Sequence, residues 1–161
     1  MERLKNCKLF LFDMDGTLYL GSRLFDFTKD LLRAIRNSGG RYMFMTNNSS
    51  KSVADYIKKL ASLGIEAEYD DFMTSSQATA YYLKKNYPGK VLYVSGTQSL
   101  KDELIKEGFA ITDDTEKTEV IVSGFDTELT FRKLHDVSKM LCTRDLPYIA
   151  TNPDYVCPTE F

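Results

Sequence analysis

Apolar residues in this chain come in short runs that stop abruptly at polar or glycine-containing stretches. Leu9-Phe10-Leu11-Phe12 is the first, and Tyr42-Met43-Phe44-Met45 the second. Val91–Val94, Val120–Val122 and Tyr148–Ala150 follow, with Phe72-Met73-Thr74 as a shorter candidate. Runs of this length read as buried strands, so residues 9–12 are expected to be covered on both faces. Between them, apolar residues recur at helical spacing: Phe27, Leu31, Leu32 and Ile35; Val53, Tyr56, Ile57 and Leu60; Ala78, Tyr81, Tyr82 and Leu83. Leu100, Leu104 and Ile105, then Phe131, Leu134, Val137 and Leu141, continue the series. Asp26, the pair Ser52 and Asp55, and Ser75 or Ser76 stand where helix caps are expected. Gly39-Gly40 and Gly64 stand where helices should stop, and Leu18–Phe25 reads as a loop.

Strand and helix alternate, which predicts an α/β fold whose neighbouring strands run parallel. The pattern restarts after Thr74–Gln77. Residues 1–74 therefore read as one α/β unit and residues 75–161 as a second.

The first run ends in chemistry. Asp13 and Asp15 stand at i and i+2, which in extended backbone point to the same side, and Gly16 supplies a tight turn. Two acids thus share the carboxyl end of a strand, where open α/β sheets bind ligands. At roughly 6 Å and an effective dielectric of about 20, their repulsion is about 3 kcal/mol. A cation relieves it, and Mg²⁺ takes such hard oxygen ligands. An EF-hand loop starting at Asp13 is excluded, because its invariant glycine would fall on Leu18 and its bidentate Glu on Leu24.

The second run ends in Thr46-Asn47-Asn48-Ser49-Ser50. Alone this is also a plain turn. On a parallel neighbour its tip comes out beside the acid pair, and a hydroxyl with backbone N–H groups near a helix start makes a phosphate cradle.

Composition narrows the partners. The 161 residues carry a net charge of −2 with no basic stripe, so nucleic acid and anionic membrane are poor partners. Cys7, Cys142 and Cys157 form no C-x-x-C pair, which favours reduced thiols over a disulfide frame or zinc site. No signal-peptide core follows Met1–Lys8 and no apolar run spans a bilayer, so a cytoplasmic location is the default expectation. His135 reads as a surface residue, and Asp70-Asp71 and Asp113-Asp114 as solvated loops.

The stretch Asp13-Met14-Asp15-Gly16-Thr17-Leu18-Tyr19 resembles the first motif of the haloacid dehalogenase-like hydrolases, in the variant carried by the NagD-like phosphatases. Thr46-Asn47 resembles the second motif. The resemblance implies a Rossmann-like parallel core, here partial, with an inserted α/β cap domain. It implies a Mg²⁺-dependent phosphatase acting on small phosphorylated metabolites through an aspartyl-phosphate. Asp13 would be nucleophile and metal ligand. Asp15 would be general acid and base, lending the metal its backbone carbonyl. Thr46, Asn47 and Asn48 would hold the phosphoryl group. Thr151-Asn152-Pro153-Asp154 resembles a substrate-proximal cap segment, making Asn152 and Asp154 candidates, although the same residues also build a simple turn. A homodimer through the cap is compatible with the resemblance.

The family's third motif, a Lys in a Gly-Lys-Pro setting, and its fourth, a Gly-Asp element, do not occur in these residues. The expectation is an N-terminal portion of a longer protein, with an apolar sheet face left uncovered and a tendency to aggregate if expressed alone. Two rival functions stand beside the phosphatase: a non-catalytic binding protein lacking the later motifs, and a phospho-accepting receiver-like signalling domain. A phosphotransferase using the same aspartyl-phosphate is a further option.

Overall fold

The computed structural model describes residues 7–154; Cys157 and the rest of 155–161 lie outside the described residues. The chain folds into two compact units. The first comprises residues up to Thr46 together with Val53–Met73, and the second comprises Asn47–Ser52 with the chain from Thr74 onward.

In the first unit, β1 (Leu9–Asp13) pairs in parallel with β4 (Arg41–Thr46). β5 (Phe72–Thr74) completes a three-stranded sheet in the order β1-β4-β5. Two helices, α1 (Thr28–Asn37) and α2 (Val53–Ser62), contribute Leu32, Ile35, Val53, Tyr56 and Leu60 to its core. Aromatic rings dominate that core. Phe44 lies 5.3 Å from Tyr42 and 5.4 Å from Phe72, ring centre to ring centre.

The first strand departs from expectation. Its residues alternate between exposed and half-buried, with Leu9 and Leu11 52% and 57% exposed. The reason is position: among the described residues β1 is the edge of the sheet, and only the face carrying Phe10 and Phe12 meets the core. Met45 and Met73 are likewise exposed, so one face of this sheet remains apolar and open among the described residues.

Leu18–Phe25 is not a simple loop. Tyr19–Leu20 (β2) and Arg23–Leu24 (β3) pair as a small antiparallel ribbon. The Met14 carbonyl accepts the N–H groups of Thr17, Leu18 and Tyr19, folding the turn back so that Met14, Leu18 and Tyr19 are fully buried. Helix caps also differ from the sequence reading. Phe27 rather than Asp26 precedes α1, with no side-chain cap.

The strands of the second unit follow the pattern, but its helices turn other faces inward than expected. Ala78, Tyr81, Tyr82, Ile105, Phe131, Leu134 and Leu141 are exposed, and of the expected stripes only Leu83, Leu100, Leu104 and Val137 are buried. β6 (Leu92–Ser95), β7 (Val120–Ser123) and β8 (Tyr148–Ala150) form a sheet in the order β6-β7-β8, both pairings parallel. Alternate strand residues bury on opposite faces. Leu92, Val94, Val120 and Val122 pack with α3 (Ser75–Asn86) and α4 (Gln98–Lys106). Tyr93 and Ile121 pack with Val137 and Met140 of α5 (Phe131–Thr143). Here β6 and β7 are covered on both faces, as short apolar runs demand, whereas Tyr148 and Ala150 of β8 are exposed. Thr74, not Ser75 or Ser76, caps α3, in a reciprocal box with Gln77. Ser75 and Ser76 are instead buried in its first turn.

Cys7 and Cys142 are exposed and in no disulfide. No described helix is long and apolar enough to cross a membrane.

Burial sets a clear contrast in stability. Phe44→Ala should cost about 3–5 kcal/mol, whereas Leu11→Ala should cost under about 0.5 kcal/mol, because one side chain is buried and the other over half exposed. Urea denaturation of the two variants checks this, and equal losses would contradict it.

Candidate active site

The sequence asked for two strand tips at one sheet edge, and the parallel ladder supplies them. Leu9 pairs with Arg41 and, four steps on, Asp13 pairs with Met45. Thr46, the next residue, therefore ends β4 beside the acid pair. Thr46 itself is buried, with its hydroxyl 3.5 Å from that of Tyr56 on α2.

Asp13 and Asp15 are exposed and Met14 between them is buried, so both carboxylates stand on the solvent side of the turn. Gly16 has φ +82°, the left-handed conformation a glycine accepts without strain. The turn closes through Gly16 N–H donating to the Tyr19 carbonyl at 2.7 Å. Thr17 donates its hydroxyl to Oδ2 of Asp13 at 3.1 Å, so this carboxylate has one oxygen fixed by its own loop.

Lys59, which the sequence reading did not single out, completes this group. Its Nζ lies 3.2 Å from Oδ1 of Asp15 and 4.0 Å from the centre of the Tyr19 ring. The repulsion between the acids called for a cation, and the fold provides one from α2. With Asp15 half exposed the ion pair is worth no more than about 1 kcal/mol, so its value lies in fixing the carboxylate. The sequence signal was present but faint: Lys59 is three residues after Tyr56, hence on the same helix face. Burial, and next the charge of Asp15, push the Tyr19 phenol far above its ordinary range, so it stays protonated.

The donor set suits Mg²⁺. It consists of hard oxygens only, at a solvent-open strand end, and Mg²⁺ commonly takes one or two carboxylates and keeps its waters. Among the described residues no group of three or more His, Cys, Asp or Glu side chains gathers anywhere.

Asn47 and Asn48 belong to the second unit. Asn47 Nδ2 lies 3.5 Å from Oδ2 of Asp154, which also accepts from Asn152 Nδ2 at 3.2 Å. The phosphate-binding candidate Asn47 and the cap candidates Asn152 and Asp154 thus form one cluster within the second unit. Asn48 is partly engaged by its own loop, its Oδ1 accepting from Ser50 N–H at 2.9 Å and from the Ser50 hydroxyl at 2.6 Å. His135 is on the exposed side of α5, next to Asp136.

A family model described as haloacid dehalogenase-like hydrolase matches residues 10–110. The chain belongs to that family. Curated relatives include an acid sugar phosphatase of Staphylococcus saprophyticus, 32% identical over 98% of this chain and 60% of its own length. Among solved structures, the 4-nitrophenylphosphatase of Thermotoga maritima aligns with TM-score 0.89 and 34% identity, over 98% of this chain and 59% of that one. A glycerol phosphate phosphatase of Mycobacterium tuberculosis, solved in complex with magnesium, aligns with TM-score 0.84 and 27% identity over 94% and 45%. NagD of Escherichia coli aligns with TM-score 0.80 and 28% identity over 92% and 58%. The haloacid dehalogenase-like chain described here is thus of the NagD-like phosphatase branch, and it spans about 60% of the length of the curated relatives it matches.

The Tyr19 environment gives a pH test. Its folded-state pKa is raised above the ordinary 10.0, so the associated stability is fully present below that value and lost as pH rises beyond it. Tyr19→Phe should flatten the fall in stability between about pH 10 and 12 relative to the unsubstituted protein, as followed by urea midpoints. Identical slopes would show that the phenol is not held protonated by the fold.

Proposed function

We propose that this protein is the catalytic N-terminal part of a Mg²⁺-dependent phosphatase that hydrolyses small phosphate monoesters through an aspartyl-phosphate. The observation that carries this reading is the β1–β4 register, with Asp13 opposite Met45 and Thr46 next in line.

Asp13 is the nucleophile, a carboxylate that needs no base to activate it at neutral pH. Thr17 holds Oδ2, which leaves Oδ1 as the attacking oxygen. Oδ1 bonds to phosphorus, the bond from phosphorus to the ester oxygen breaks, and Asp15 gives that oxygen a proton. Water then attacks phosphorus, the bond to Asp13 breaks, and Asp15 takes the water's proton. Thr46, Asn47 and Asn48 orient the phosphoryl oxygens; in a loose transition state such positioning is most of what a protein supplies. Mg²⁺, held by the Asp13 carboxylate and the Asp15 backbone carbonyl, would neutralise charge between nucleophile and phosphate. Asn152 and Asp154 are assigned to the part of the substrate beyond its phosphoryl group. Relatives named acid sugar phosphatase and glycerol phosphate phosphatase support a sugar or polyol phosphate as that substrate.

In the intact protein, Asp13→Asn should lower phosphate release by at least about a thousandfold while leaving substrate binding in place. Asp15→Asn should still form phosphoryl-enzyme from 4-nitrophenyl phosphate, whose leaving group needs no proton. A phosphate-release assay with a single-turnover arm measures both, and equal residual activity in the two variants would contradict the division of roles.

A further inference from the structure

In an open parallel sheet the carboxyl edge is where ligands ordinarily bind. In the second unit that edge is taken by the chain itself. Ser49 is fully buried there. Its Oγ accepts the Phe125 N–H at 3.0 Å, just beyond β7, and the Thr151 hydroxyl at 2.9 Å, just beyond β8. The Thr97 hydroxyl, beyond β6, donates to the Ser50 carbonyl at 3.0 Å. Ser75, opening α3, donates to the Asn47 carbonyl at 2.9 Å. All three strand ends and one helix start therefore grip residues 47–50. The fit is close: a Cβ on Gly124 would come within 2.7 Å of Ser49 Oγ and 2.6 Å of Leu100 Cδ2.

We infer that Ser49 is a positioning residue for phosphate binding. The β6-β7-β8 edge acts as a clamp that fixes the loop carrying Asn47 and Asn48, rather than as a separate ligand site. This rests on the phosphatase reading above, because Ser49 acts only through Asn47 and Asn48. Ser49 lies one residue from Asn48 and two from Asn47, and its hydroxyl bonds to residues just beyond both β7 and β8. Removing it takes the acceptor from the Phe125 N–H and the Thr151 hydroxyl, two part-buried hydrogen bonds, and the loop loses its central tether.

The test uses orthophosphate with Mg²⁺ as the probe, titrated calorimetrically into the intact protein. Ser49→Ala should weaken orthophosphate binding about tenfold, the size of one lost hydrogen bond. Gly124→Ala, which keeps the Ser49 hydroxyl but crowds it, should weaken binding similarly. Val122→Ala, buried in β7 and outside the loop's contacts, serves as the stability-matched control and should lower the melting temperature without weakening orthophosphate. Unchanged affinity in Ser49→Ala, or an equal loss in Val122→Ala, would overturn the inference while the phosphatase reading stands. No orthophosphate binding by the unsubstituted protein would overturn that reading, and this inference with it.

Discussion

The parallel ladder between β1 and β4 is the constraint on which the rest depends. Side chains alternate along a strand, so a slip of one residue would turn every side chain of β1 to the opposite face. Phe10 and Phe12 would then leave the aromatic core, and Asp13 would turn inward. Burial of those two rings against the Phe44 cluster therefore fixes the register, and the register fixes where the first carboxylate emerges. The hydrophobic pattern and the chemistry are one specification, read at two ends of the same strand.

The acid pair shows how a fold manages like charge before any ligand arrives. Thr17 donates to Asp13, and Lys59 meets Asp15. Each carboxylate has a partner of its own, and the partners differ. One acid is held by a hydroxyl within its own turn, the other by an ammonium delivered from α2 across a buried tyrosine ring. Two chemically identical side chains are thereby made unequal, which is what a nucleophile and a proton carrier require.

Much of the architecture was legible in the sequence because it rests on local periodicity. The three strands of the second unit follow directly from apolar runs, and the β7 run, Val120 to Val122, reads as buried and is so. The helical stripes fared worse, because Tyr81, Tyr82, Ile105, Phe131, Leu134 and Leu141 are exposed while small or polar neighbours such as Thr79, Ala80 and Glu103 are buried. The same reasoning misjudged Leu9 and Leu11, because a run of apolar residues does not say whether a strand is central or at an edge. It missed the β2–β3 ribbon, whose two-residue strands are too short for any period to register. It missed Lys59 for a different reason: a helix face can be read from spacing, but the carboxylate it meets lies 44 residues earlier. The clamp on Ser49 was beyond reach for the same reason, since its partners Phe125 and Thr151 are 76 and 102 residues away. Thr46-Asn47-Asn48-Ser49-Ser50 looked like a turn with phosphate-binding residues; the structure adds that its centre is an anchored, buried hydroxyl.

The account's central claim is that Asp13 is the atom-bearing group that becomes phosphorylated. Borohydride reduction of the intact Asp15→Asn protein, quenched during incubation with Mg²⁺ and a phosphate ester, converts an acyl phosphate to an alcohol and marks its residue as homoserine. Peptide mass spectrometry should find that conversion at residue 13. A conversion at any other carboxylate, or none at residue 13 while ester is being consumed, would contradict the account.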